Sequence, residues 1–168
     1  MGGVVIILAT VIAWLIGSFV AGAGPSWSGF LLAFLFVGLG TIGLLDDGIK
    51  IMRQRSLGLH PSGKIIGQVA VASLFAGGTL INPNEYNEYA GTLAISFARP
   101  TPLSLAFAGT AIGVILYLIW TNLIVTAWSN ATNLTDGLDG LAAGVSIFVF
   151  GAYTFIAYFQ RIQACTQP

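Results

Sequence analysis

Five stretches of the chain carry no Asp, Glu, Lys or Arg: Val4 to Ala21, Phe30 to Leu45, Ile65 to Ile81, Leu103 to Trp128 and Leu141 to Phe159. Their apolar residues cover every side of a helical wheel, which marks helices with apolar surroundings on all sides. A helix rises about 1.5 Å per residue and a bilayer's hydrocarbon core is about 30 Å thick, so roughly 20 residues cross it. The first, fourth and fifth stretches reach that length unaided. The second and third need a polar or glycine-rich end to complete a crossing. The pattern predicts an all-α fold: one polytopic helical bundle over 1–168, with spans at about 4–21, 29–45, 64–81, 103–128 and 141–159. Strands of a membrane barrel would be shorter and would alternate in polarity, which these runs do not.

Composition strengthens this picture: 56% of residues are hydrophobic and 7% charged, a balance foreign to soluble domains. The 22 glycines fit a packed membrane bundle, where small residues let helix backbones approach. With a formal net charge of zero the chain offers no basic surface for nucleic acid. The single Cys165 has no partner for an internal disulfide. Met1 leads into apolar sequence without a basic preceding region, so a cleaved signal peptide is not expected.

Five crossings place the segments 46–64 and 129–140 on one side, with the N-terminus. That side holds Lys50, Arg53, Arg55 and Lys64, against Arg99 and Arg161 on the other, and the excess of basic residues makes it cytoplasmic. Asp46, Asp47, Asp136 and Asp139 fall on the same side, while Glu85 and Glu88 fall outside. In the outer segment 82–102, turn residues flank "TLAISF", which predicts a short strand or hairpin in a solvated loop.

Chemistry concentrates in two cytoplasmic motifs. In "GLLDDGIKIMRQRS" (43–56) the adjacent aspartates point about 100° apart on a helix, so one can face a site while the other caps, pairs or meets water. Lys50 lies three residues from Asp47 and four from Asp46, within reach of both as an interfacial ion pair. In "NATNLTDGLDG" (130–140), Asn133, Asp136 and Asp139 recur every three residues and can converge on one ion or phosphate. A donor set of oxygens without His or Cys suits Mg²⁺, or Mn²⁺, better than zinc. Gly137 and Gly140 allow close approach of a substrate to the backbone. His60 precedes Pro61, which biases it out of helix and toward solvent at the interface.

"NATNLTDGLDGLAAG" resembles the signature loop of the polyprenyl-phosphate N-acetylhexosamine-1-phosphate transferases (glycosyltransferase family 4). "LLDDGIKI" resembles that family's aspartate pair, and "KIIGQ" its lysine-containing segment. The wording "NLTDGLDGLA" and the opening "MGG" are similar to members that use UDP-N-acetylmuramoyl-pentapeptide. The resemblance implies an enzyme of the bacterial inner membrane. Undecaprenyl phosphate attacks the β-phosphate of the UDP-linked donor, giving the first lipid intermediate of peptidoglycan synthesis and releasing UMP.

It also implies roles. Asp46, Asp47, Asp136 and Asp139 are the catalytic acids, with Asp46 and Asp47 at the lipid phosphate and Asp47 either base or binding residue. Asp136, joined or replaced by Asp139, holds Mg²⁺, and Lys50, Lys64, Asn130 and Asn133 bind substrate. A homodimer is one arrangement it allows. The family's later spans, a further catalytic aspartate and a histidine-rich loop have no counterpart, so the chain reads as a fragment lacking the N-terminal span and the C-terminal half. A related transferase using UDP-N-acetylglucosamine, an inactive remnant and a membrane transporter stay open as alternatives.

Overall fold

The computed structural model describes residues 2–22, 24–54, 58–83, 89–96, 100–135 and 140–166. In chain order these form α1 (Gly2–Val20), α2 (Trp27–Arg53), α3 (Pro61–Thr79), the strands β1 (Ala94–Ser96) and β2 (Pro100–Ser104), a 3-10 turn (Leu105–Ala108), α4 (Thr110–Thr135) and α5 (Leu141–Thr166). The all-α expectation holds, and the hairpin expected in the segment 82–102 forms as an antiparallel pair, Ala94 opposite Ser104 and Ser96 opposite Pro100.

Two expectations change. By length and composition, α1, α2, α4 and α5 qualify as membrane spans and α3 does not, so four described helices qualify rather than five. The third helix opens on Pro61, Ser62, Gly63 and Lys64 and buries Gln68, Ala72, Ala76 and Thr79 on one face. That face is covered by protein, so it is not required to be apolar enough for lipid. The element limits also move. The fourth helix starts at Thr110 rather than 103, because the preceding residues form β2 and the 3-10 turn. Residues 46–53 and 129–135, expected in loops, are helical ends of α2 and α4.

The chain divides into two compact units, Met1–Thr126 and Ala127–Pro168. In the first, α2 and α3 run antiparallel with Gly38 on Val71, Ile42 on Gly67 and Leu31 on Gly78. The three contacts keep step along both helices, and a glycine in each lets the backbones approach. Trp27 Nε1 donates to Gly78 O at 3.0 Å, tying the start of α2 to the end of α3. The fourth helix joins through Asn122 Nδ2, which donates to Ser73 Oγ at 3.0 Å, and through Tyr117 and Thr79, whose hydroxyl oxygens are 2.8 Å apart. The first helix lies against α2 through Trp14 on Gly29 and Ile7 on Gly40.

The second unit holds the end of α4 and α5, where Phe155 and Phe159 pack with ring centroids 5.1 Å apart. Large apolar side chains such as Val20, Ile66, Leu74 and Phe148 stand exposed. Exposure of this kind is what hydrocarbon surroundings stabilise, and the helices satisfy their own backbone groups there.

Candidate functional site

The second helix has 27 residues, about 40 Å at the usual rise, and so outruns a hydrocarbon core of about 30 Å. Asp46 to Arg53 form its last two turns. Ser26 caps its start by accepting from Gly29 N at 3.2 Å, and Gln54 closes its end in the left-handed region at φ 48°.

The adjacent aspartates diverge as helix geometry requires. The Asp46 side chain is 14% exposed. Its Oδ2 lies 2.7 Å from Lys50 Nζ, and its Oδ1 accepts from Leu59 N at 2.7 Å. The Asp47 side chain is 70% exposed, and its Oδ1 lies 3.2 Å from Lys50 Nζ. Both ion pairs read from the i,i+3 and i,i+4 spacing therefore form.

The partner at Leu59 comes from the antiparallel register of α2 and α3, which returns the chain to the end of α2. His60 is extended at φ −57° and ψ 137°, and Pro61 opens α3 where its missing N–H leaves no bond unmade. His60 is exposed, with Nδ1 2.7 Å from Ser62 Oγ. A Cβ added at Gly58 would lie 2.7 Å from Lys50 Cε and 2.8 Å from Asp46 Cγ, so the main chain rests directly on the ion pair. Lys64, half-buried in the first turn of α3, is close enough to attract the Asp46 carboxylate. Asp46, Asp47 and Lys50 thus form one mixed-charge cluster, with Lys64 acting on it through Asp46.

Between α1 and α2 runs a groove of about 400 Å³ lined by apolar residues including Val4, Ile7, Leu8, Val37 and Leu44, with Asp47 among its walls. The Lys50 ammonium and the apolar groove complement the two chemistries of a lipid with an anionic head, while the exposed Asp47 carboxylate can act on such a head as a proton acceptor.

Asn130 and Asn133 lie in the last turns of α4, in the second unit, with Asn130 half-buried and Asn133 exposed. Thr132 and Thr135 there donate to Trp128 O and Ala131 O, each at 2.9 Å. Asp136 and Asp139, the expected metal ligands, lie outside the described residues, as do Glu85, Glu88, Arg55 and Arg99. Among the described residues no three of His, Cys, Asp and Glu gather where they could hold a metal ion. Sequence reasoning missed Gly58 and the Leu59 amide. The one signal was a glycine placed between the basic end of α2 and His60-Pro61.

Residues 27–166 match glycosyl transferase family 4. The chain is 53% identical to the phospho-N-acetylmuramoyl-pentapeptide-transferase of Beutenbergia cavernae, an alignment covering 98% of this chain and 46% of that protein. It is 50% identical to the protein of the same name from Paenarthrobacter aurescens, over 100% of this chain and 47% of that one. For the Micrococcus luteus protein, again of that name, the figures are 51%, 98% and 46%. The chain spans about half the length of the curated relatives it matches.

Proposed function

Because the chain belongs to glycosyl transferase family 4, we propose that it forms part of a membrane phospho-sugar transferase that moves phospho-N-acetylmuramoyl-pentapeptide from UDP to undecaprenyl phosphate. A phosphate oxygen of the lipid bonds to the β-phosphorus of the donor, the bond from that phosphorus to the bridging oxygen breaks, and UMP leaves. The observation that carries this reading is the exposed Asp47 carboxylate, paired with Lys50, on the wall of the apolar groove. An isoprenoid chain lies in the groove and its phosphate reaches the charged end, where Lys50 and Lys64 offset its charge as point charges. Asp47 binds that phosphate or takes its remaining proton.

On the donor side, Asn130, Asn133, Asp136 and Asp139 bind the nucleotide diphosphate, with Asp136 the first metal ligand. Their donors are all oxygens, the set a hard divalent cation takes. A bound Mg²⁺, or Mn²⁺ in its place, supplies charge that offsets the diphosphate and stabilises the transferring phosphoryl group. The active site opens to the cytoplasm from the inner membrane, since the basic residues gather at that end. The name shared by the relatives favours the muramoyl donor over UDP-N-acetylglucosamine.

The test is UMP release by the polypeptide carrying this sequence at its natural length, in membranes supplied with undecaprenyl phosphate, Mg²⁺ and either donor. The expected result is release with the muramoyl-pentapeptide donor alone, lost on chelation and in Asp136→Ala. Release with neither donor, or turnover unchanged in Asp136→Ala, overturns the reaction or the metal role respectively.

A further inference from the structure

The two adjacent aspartates are not equivalent. Both Asp46 oxygens are used within the protein, one by a main-chain amide 13 residues away and one by Lys50. Asp47 pairs with Lys50 at 3.2 Å and stands open at the groove. Gly58 supplies an independent observation, because its backbone is seated so closely on the Asp46–Lys50 pair that even a methyl group would have to displace them.

We propose that Asp46 is a positioning residue: it fastens the Gly58–His60 segment to the end of α2 and thereby holds Lys50 and the first turn of α3, with Lys64, beside Asp47. Asp47 is then the carboxylate that meets the acceptor phosphate. Each neighbour of Asp46 fits this assignment. The Leu59 amide fixes the loop, Lys50 bridges both carboxylates, and Lys64 follows in a helix that starts two residues after Leu59. The geometry stands by itself; the role given to Asp47 rests on the transferase reading.

Amide hydrogen exchange on the natural-length protein in lipid nanodiscs tests the fastening. In Asp46→Ala, exchange at Leu59 rises about tenfold or more, the size expected for one hydrogen bond to a charged acceptor. In Asp47→Ala it changes less than about twofold, because among the described residues the Asp47 side chain bonds Lys50 and it is Asp46 that holds the Leu59 amide. Asp46→Asn keeps a carbonyl oxygen that can accept the amide and recovers part of the protection. Should Asp46→Ala not fold, Gly58→Ala replaces it, with exchange at Leu59 again raised. Unchanged exchange at Leu59 in Asp46→Ala, or in Gly58→Ala where that replaces it, overturns the fastening, whatever the protein catalyses.

The kinetic arm uses Gly58→Ala, which retains all four charged residues and disturbs only how the Asp46–Lys50 pair is seated. Its KM for the lipid acceptor rises about tenfold with kcat within about twofold, the separation that marks weakened acceptor binding. General unfolding would lower kcat alone, so that result, or unaltered kinetics, overturns the positioning role. If even the unsubstituted protein releases no UMP, the transferase reading fails while the exchange result still decides the fastening.

Discussion

The Thr79 and Tyr117 hydroxyl oxygens lie 2.8 Å apart and join the end of α3 to the early turns of α4. Thr79 spends its one hydrogen on Ala76 O at 2.7 Å, so Tyr117 donates. Thr79 O in turn accepts from Gly91 N at 2.9 Å, which brings the loop before the strand pair onto the same point. Thr79 is 5% exposed, so these bonds replace water rather than compete with it.

Replacing the two partners therefore has unequal effects. Tyr117→Phe removes one donor and leaves Thr79 bonded to Ala76, a loss of about 1 kcal/mol. Thr79→Val removes both side-chain bonds and strands the Tyr117 hydroxyl, a loss of about 2 kcal/mol and up to about 3. Denaturant titration of the purified protein in detergent measures both, and equal losses would contradict the arrangement.

The close approach of α2 and α3 predicts a contrast between two glycines of one helix. A Cβ at Gly38 would lie 2.7 Å from Val71 Cγ1, whereas one at Gly43 meets nothing within 4 Å. Gly38→Ala should destabilise by about 1–3 kcal/mol through overpacking. Gly43→Ala should be neutral or stabilise by up to about 1 kcal/mol, since alanine favours helix over glycine. Thermal melts of the two variants decide the matter; a milder effect at Gly38 than at Gly43 would refute the packing.

Sidedness follows from the antiparallel α2–α3 pair, which sends Lys50 and Lys64 to one end and Trp27 and Thr79 to the other. In a Cys165→Ser background, Met52→Cys should react with an impermeant thiol reagent only from the cytoplasmic face. Met52 is 86% exposed, so access is not limited by packing. Thr92→Cys, exposed beside the outer hairpin, should react only from outside. Labelling of both from one face would reverse or break the topology.

Much of this was open to reading from residues alone where the cause is local. The pairing of Lys50 with Asp46 and Asp47 follows from 3.6 residues per turn, and both contacts form. The strand pair around "TLAISF" follows from its turn residues and branched side chains, and forms at Ala94–Ser96 and Pro100–Ser104. The expected limits of α2 and α4 stopped short of Asp46 and Asn130 because polarity marks where lipid ends, whereas the hydrogen-bond ladder continues into water.

The sequence by itself determined the helical membrane class, the two polar motifs and the local ion pairs, because each depends on composition or on neighbours within one turn. Only the tertiary structure decided that α3 turns one face, with the polar Gln68 and Thr79 beside Ala72 and Ala76, into the protein while Ile66 and Leu74 stay exposed on the other, since burial depends on which helices pack against it. It also decided which aspartate is tied down. Adjacent residues with the same side chain are indistinguishable until the chain returns, and here Leu59 returns to Asp46 because α2 and α3 pack in antiparallel register with Gly58 small enough to let them meet.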